Sequence, residues 1–233
     1  MRCATRDSVL AIVSHELKQP LNVIQINANL LKRLPASTVP THVRTIADAI
    51  QRAIESQTRI INDLLDVSRV RTGKLALHRS EVDFGKLVLD LVATWGAHWP
   101  SGRIRTEMQA SGPLICYADS VRLEQIVGNL LENSLKFTPA GGQVVVRISS
   151  EDGFARIAVA DTGCGIAPEF LPNVFGLFSQ AGCAGEGVHG GLGIGLALVH
   201  GLAAAHGGFV KATSEGTNRG AEFSVWLPLH RNI

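Results

Sequence analysis

Asn129-Leu130-Leu131-Glu132-Asn133-Ser134-Leu135-Lys136-Phe137-Thr138 is the stretch of this 233-residue chain that decides how the rest is read. It closes a run that opens at Asp119 or Ser120, either of which can cap a helix, and that ends before Pro139. Within the run Leu123, Ile126, Val127, Leu130, Leu131 and Leu135 recur at helical spacing and supply a face for a core. Asn129, Asn133 and Lys136 stand at i, i+4 and i+7, on a stripe of their own. Asparagine is a middling-to-poor helix former, so two of them one turn apart in a helix interior ask for a reason other than stability. Amide oxygens suit Mg²⁺, a hard ion usually held by few protein ligands together with phosphates and water. A lysine on the same stripe can reach those phosphates as a point charge. On spacing alone, a solvated polar face fits these residues equally well.

Downstream, Gln143 to Ser149 and Phe154 to Ala160 alternate like hairpin strands, split by Glu151-Asp152-Gly153. The second strand runs into Asp161-Thr162-Gly163-Cys164-Gly165-Ile166. A carboxylate at a strand end followed by glycines can accept a hydrogen bond from an exocyclic amine while backbone approaches a planar ring, and by itself it can equally be a tight turn. Residues 163–190 are rich in glycine, carry Pro168 and Pro172, and show little periodicity. Gly190, Gly191, Gly193 and Gly195 then open a helix expected from about Leu192 to His206, whose first-turn amides are free to hold phosphate. The pattern is neither G-x-G-x-x-G, because Leu196 takes the last glycine's place, nor a P-loop. Strands near 208–214 and 221–227 close the chain. Upstream, Leu75 to Phe84 reads as extended, Asp83 caps a helix to about His98, and Arg103 to Gln109 and Leu114 to Tyr117 read as strands. Strands and helices mix without strict βαβ alternation, which predicts an α/β sandwich with helices over one sheet face.

The first third is different. Leu10, Val13, Leu17, Leu21, Ile24, Ala28 and Leu31 form a helical stripe with coiled-coil spacing. After Pro35 and Pro40, Ile46, Ile50, Ala53, Ile60, Leu64 and Val67 form a second seam, interrupted by Gln57. Two such helices on a short loop make an antiparallel hairpin. Alone they bury one stripe poorly, so a four-helix bundle formed by dimerisation is expected. Inside the first helix, Pro20 removes the amide that would pair with the Glu16 carbonyl, next to His15. An interior proline costs about 3 kcal/mol relative to alanine, so the helix is loosened or bent there.

Composition sets the outer limits. Hydrophobic residues make up 45% and charged residues 18%, a globular balance. Lys+Arg 22 against Asp+Glu 20 gives +2, which excludes phosphate-backbone binding as the default, and no nucleic-acid partner is expected. No stretch approaches the roughly 20 apolar residues of a membrane span, so no membrane contact is expected of this segment. Cys3, Cys116, Cys164 and Cys183 show neither CxxC pairing nor metal spacing, which reads as a reduced, cytoplasmic chain. The chain starts almost directly in an element, as the excised end of something longer would.

Taken together the pieces resemble one family. His15-Glu16-Leu17-Lys18-Gln19-Pro20-Leu21 resembles the H-box of two-component sensor histidine kinases, and Asn129 to Thr138 their N-box. Asp161-Thr162-Gly163-Cys164-Gly165-Ile166 resembles the first glycine box, Phe175-Gly176-Leu177-Phe178 the F-box, and Gly191-Leu192-Gly193-Ile194-Gly195-Leu196 the second glycine box. The resemblance covers nearly the whole chain. It implies an α+β protein: residues 1–73 a dimerisation and phosphotransfer hairpin, residues 74–233 a catalytic ATP-binding domain of the Bergerat (GHKL) fold.

The same resemblance assigns roles. His15 would be the phosphoacceptor and Glu16 the neighbouring base, with Gln19 at the position tied to dephosphorylating the partner, where many members carry Thr or Asn. Asn129 and Asn133 would hold Mg²⁺, Lys136 would contact the ATP phosphates, and Asp161 would accept from the adenine amine. Phe137, Gly163, Gly165, Ile166, Phe178, Gln180, Gly191, Leu192, Gly193, Gly195 and Leu196 would line the nucleotide. Residues about 167 to 190 would form a mobile lid. Gln180 stands where Arg or Lys is common, and Ala221 where Thr or Ser is usual. The implied partners are a second copy of the chain and a response regulator receiver domain, with a sensor domain ahead of this segment. Another GHKL ATPase, such as an anti-sigma serine kinase, would account for residues 75–230 but leaves the His15 hairpin without a task.

Overall fold

The computed structural model describes residues 21–22, 24–26, 28–29, 31–33, 41–96, 103–179 and 193–230. Contacts divide the chain into two compact units, Met1–Lys74 and Leu75–Ile233.

In the first unit the described residues between 21 and 33 are helical, and α1 spans Thr41–Arg71. Leu21 packs with Ile54 and Ile61, joined by the half-buried Ile50 and Leu65. Further along, Lys32 Nζ lies 3.0 Å from Asp48 Oδ1. As one segment rises from 21 to 32 its partner falls from 61 to 48, so the two run antiparallel, as the hairpin requires. The seam is where expectation and structure part. Ala47, Ile54 and Ile61 are the buried positions, whereas Ile46 and Ile60 are 54% and 37% exposed and Ala53 and Gln57 are exposed as well. Of the predicted seam, Val67 is buried and Ile50 and Leu64 are half-buried. α1 thus carries two apolar stripes, and the heptad-like one faces away from the hairpin's own core.

The second unit is a sandwich. β1 (Ser80–Asp83) pairs antiparallel with β3 (Ile115–Ala118) as a small two-stranded sheet. The main sheet has the order β2 (Ile104–Met108), β4 (Val144–Glu151), β5 (Phe154–Asp161), β7 (Ala221–Pro228), β6 (Phe209–Thr213). β2 lies parallel to β4 and the remaining neighbours are antiparallel. Asp152 at φ 49° and Gly153 at φ 83° close the β4–β5 hairpin, left-handed backbone that this residue pair tolerates well. Val144, Val146 and Ile148 alternate with half-buried residues along β4, and α2 (Phe84–Gly96), α3 (Ser120–Phe137) and α4 (Gly195–Ala205) complete the core with Phe84, Leu130, Leu131, Leu198 and Leu202. Burial of this kind is worth roughly 1.5–3 kcal/mol per large apolar side chain. α4 starts at Gly195, three residues later than its periodicity predicts.

α3 is fastened to α4 at one end. Asp119 caps α3, accepting from Arg122 N at 3.3 Å and from His78 N at 2.9 Å. The Asp119 amide donates to His206 Nε2 at 3.2 Å, and His206 Nδ1 lies 2.8 Å from the Leu202 carbonyl. One ring nitrogen accepts and the other donates, so the imidazole is neutral with its proton on Nδ1. Burial lowers the His206 pKa, more than the backbone bond to Leu202 raises it. Burial also works against the Asp119 charge, but the amides of His78 and Arg122 outweigh it and hold that pKa below the usual value.

Both shifts point the same way. Below the ordinary histidine pKa of 6.5 the unfolded chain takes up a proton that the folded one refuses, so stability falls as pH drops toward the lowered folded value. Asp119 adds a further loss below its ordinary 3.8. The urea midpoint of the second unit, followed by tryptophan fluorescence, is therefore expected to fall between pH 7 and 5. The decline should flatten in His206→Gln, whose amide can still accept from Asp119; the same slope in that variant would discharge His206 from the role.

Candidate functional site

α3 sets the polar stripe. Its apolar face is buried, so Asn129 and Asn133 stand half-buried at the edge and Lys136 is exposed, its Nζ 5.1 Å from the Phe137 ring centroid. Asn129 spends its amide nitrogen on the Gln125 carbonyl at 2.9 Å. Its Oδ1 turns toward the start of α4, 2.8 Å from where a side chain on Gly195 would begin. Asn133 makes no hydrogen bond to the described residues. Two amide oxygens one turn apart, one aimed at a helix N-terminus and one unengaged, fit a hard cation carried with phosphates.

Asp161 ends β5 beside this stripe's C-terminal end. Its Oδ1 accepts from Gly163 N at 2.9 Å. Burial raises the carboxyl pKa, opposed by the amides of Gly163 and Ala221 and by the Ser134 hydroxyl. Gly163 is pressed against the Phe137 carbonyl, where no Cβ could fit, and Cys164 N bonds that same carbonyl at 3.2 Å. Gly165 turns at φ 64° against the Gly216 carbonyl, again with no room for a side chain. The buried Ile166 is held by Ser214 Oγ, which accepts from its amide at 2.9 Å and donates to the Gly220 carbonyl at 2.6 Å. Asn218 N reaches the Cys164 carbonyl at 2.7 Å. The turn after Asp161 is thus knit to the end of α3 on one side and to residues 214–220 on the other.

Beyond it, Phe178 is exposed at φ 62° and its amide donates to the Gly193 carbonyl at 2.9 Å. Leu196 stands half-buried in the first turn of α4. His15, Glu16, Gln19, Gln180, Gly191 and Leu192 lie outside the described residues. The structure therefore brings Asn129 to Gly195, Asp161 to Gly163 and Phe137, and Phe178 to Gly193.

Several supports escape sequence reasoning. Ser214 and the Phe137 carbonyl have no motif, and Ser134 reads only as a small residue within the helix. One expectation differs: Cys164 is disulfide-bonded, where the cysteine spacing had suggested reduced thiols. Cys116 is free and buried, and burial pushes its thiol up to about 12, which leaves it unreactive.

A half-buried carboxylate at a strand end, a glycine turn open to a flat ring, two helix-borne amide oxygens and a glycine-led helix start define a nucleotide-binding α/β sandwich. Residues 118–231 match the family described as histidine kinase-, DNA gyrase B- and HSP90-like ATPase, and residues 5–73 match the His kinase A (phospho-acceptor) domain. The histidine protein kinase DivJ of Caulobacter vibrioides is 34% identical over 97% of this chain and 38% of its own length. The circadian input-output histidine kinase CikA of Synechococcus elongatus is 32% identical over 97% of this chain and 30% of its own. Full-length ShkA, solved in complex with AMPPNP, superposes with a TM-score of 0.76 at 32% identity, covering 95% of this chain and 46% of that one. The chain belongs to the two-component sensor histidine kinases and has their ATP-binding GHKL fold. It spans less than two fifths of the length of the curated relatives named.

Asp161→Asn keeps an acceptor for Gly163 but removes the charge. Hydrogen bonds to charged groups contribute about 1.5–3 kcal/mol, so titration calorimetry with a non-hydrolysable ATP analogue should show affinity falling at least tenfold. The raised pKa means that the buried charge opposes folding at neutral pH, so the unfolding midpoint should hold or rise. Undiminished nucleotide affinity would remove Asp161 from the site.

Proposed function

We propose that this chain is the kinase core of a two-component sensor: it binds ATP in the second unit, transfers the γ-phosphoryl group to His15, and passes it to an aspartate of a response regulator receiver domain. The observation that supports this most is the joint presence, in one chain, of a phospho-acceptor segment over residues 5–73 and the Asn129–Asn133–Asp161 site. A GHKL site alone would serve any ATPase of that fold; a phospho-acceptor histidine ahead of it specifies where the phosphoryl group goes.

In this reading a neutral imidazole nitrogen of His15 attacks the γ-phosphorus in line and ADP leaves. Glu16 takes the proton from the other ring nitrogen. Asn129 and Asn133 would hold Mg²⁺, which would supply charge neutralisation at the phosphates. Lys136, exposed on the same stripe, adds a mobile positive charge there. Asp161 selects the adenine amine. Phe137, Gly163, Gly165 and Ile166 shape the ring's slot, and Phe178, Gln180, Gly191, Leu192, Gly193, Gly195 and Leu196 border the phosphates. Gln19, whose side-chain amide can orient a water, is assigned to dephosphorylation of the partner. The phosphoramidate is high in energy and suits relay better than storage.

The first unit acts as a homodimer. The stripe of Ile46, Ala53 and Ile60 lies exposed on α1, and a second copy covers it by completing a four-helix bundle. Among the described residues no helix is long and apolar enough to cross a membrane. We place this segment in the cytoplasm, where ATP and receiver domains are found, with input from a sensor domain elsewhere in the parent protein.

Incubation with γ-labelled ATP and Mg²⁺ should give an acid-labile, alkali-stable phosphoryl group, absent from His15→Ala while ATP binding persists. Label retained in that variant would sink the assignment. Pro20→Ala restores the amide for the Glu16 carbonyl, and is expected to raise the hairpin's melting temperature and slow autophosphorylation. Raised stability with unaltered kinetics would separate the proline from catalysis.

A further inference from the structure

α3 ends without the usual closure. A helix leaves its last carbonyls without internal partners, and a left-handed glycine just past the end is a common way to satisfy them. Here Thr138 caps the end in extended backbone, at φ −98° and ψ 120°, and Pro139 stands where that glycine would. Proline cannot turn left-handed. The carbonyls are satisfied from outside instead. Thr138 Oγ1 donates to the Ser134 carbonyl at 2.6 Å, and Cys164 N donates to that of Phe137 at 3.2 Å. Arg103 Nη2 donates to the carbonyls of Leu135, Thr138 and Pro139 at 3.3, 2.5 and 3.4 Å.

Arg103 comes to this place through the sheet. It stands just ahead of β2, and its own carbonyl accepts from Val144 N, at the start of β4, at 2.8 Å. β2 runs parallel to β4, so both strands begin at the same edge, and only residues 138–143 separate that edge from the end of α3. An antiparallel β2 would begin at the opposite edge, away from the helix end. The guanidinium stays ionised and a helix C-terminus carries partial negative charge, so the contact is attractive as well as directional.

The carbonyls of Leu135 and Thr138 lie on either side of Lys136 and Phe137 along the chain. Lys136 therefore has Arg103 holding the backbone before it and the glycine turn holding the backbone after it. Its exposed side chain is long and has many rotamers, so where its ammonium can go depends on how firmly that turn is fixed. We propose that Arg103 is a positioning residue for Lys136, holding the last turn of α3 so that the lysine reaches the phosphates of a bound nucleotide. This rests on the nucleotide site proposed above. Arg103 acts through the backbone of α3. When it is lost, Cys164 N still holds the Phe137 carbonyl, so the adenine side of the site stays in place while the phosphate side loosens.

The test measures affinities of the whole chain for a non-hydrolysable ATP analogue and for adenosine, which has no phosphates. The proteins are wild type, Arg103→Met, Arg103→Lys, Lys136→Met and the double variant Arg103→Met with Lys136→Met. Arg103→Met should bind the analogue about tenfold more weakly, within the range that coupled neighbours show, and leave adenosine unchanged. Arg103→Lys should recover only part of the loss, because a single ammonium cannot span these carbonyls as the planar fork does. In the Lys136→Met background, Arg103→Met should cost nothing further, as for two residues acting through one contact. A merely structural arginine would weaken the analogue and adenosine equally, or add its full loss to that of Lys136→Met, and either result overturns the proposal. If Arg103→Met folds poorly, Arg103→Lys decides by the same comparison of analogue with adenosine. Lys136→Met separates the two levels. Unchanged analogue affinity there removes Lys136 from the phosphates and the proposal with it, whereas a loss there with both Arg103 variants unaffected refutes Arg103 alone.

Discussion

The second unit depends on α3 being unable to turn. Leu123, Ile126, Val127, Leu130 and Leu131 have no exposed surface, and truncating any one of them to alanine would cost about 2–5 kcal/mol. Against that, the helix-propensity penalty of an asparagine is under about 1 kcal/mol, so the core dictates the helix's rotation and the polar stripe follows. Both ends are fastened as well. Asp119 and His206 tie the start to the end of α4, and Arg103 Nη2 donates to the carbonyls of Leu135, Thr138 and Pro139 at 3.3, 2.5 and 3.4 Å. The Leu135 carbonyl is among the groups a helix end leaves without internal partners, and those of Thr138 and Pro139 continue the same chain end. A site whose residues come from α3, the end of β5 and the start of α4 can be shaped only if these three hold still relative to one another.

Much of this was legible from residues alone, for identifiable reasons. Period-two alternation in Val144 to Ser149, an Asp-Gly turn, and a capped run ending at a proline are local signals, and the structure has the elements where those signals lie. Asp161 was readable because a carboxylate between a strand and two glycines is chemically conspicuous. What lay beyond reach was long-range. Nothing in the residues of β2 says that it pairs parallel with β4 while every other pair in its sheet is antiparallel. His206 meets Asp119 across 87 positions and Ser214 meets Ile166 across 48, each through a single hydrogen bond with no motif. In α1 the difficulty was of another kind. Two apolar stripes share the helix, the periodicity of either is genuine, and sequence has no means of saying which of them a chain covers with its own residues.

The disulfide at Cys164 is a related case. Spacing rules look for paired cysteines close in sequence, and Cys164 has none. Its position matters more than its spacing: it stands between Gly163 and Gly165, in the turn whose backbone is anchored to Phe137, Asn218 and Gly220. The backbone hydrogen bonds to Phe137, Asn218 and Gly220 already hold that segment in place beside Asp161.

A preset slot has a thermodynamic consequence. The site carries a carboxylate whose burial opposes its charge and asparagines on a helix that would be firmer without them. Each opposes folding by an amount on the order of 1 kcal/mol, against a net stability of only about 5–15 kcal/mol for a typical domain. A ligand that satisfies these groups binds the folded state alone and stabilises it by RT ln(1 + [L]/Kd), about 2.7 kcal/mol at a hundredfold excess over Kd. The destabilising groups and the stabilising ligand are therefore two halves of one design. The groups that weaken the fold are thus the ones a ligand with matching donors and acceptors would engage.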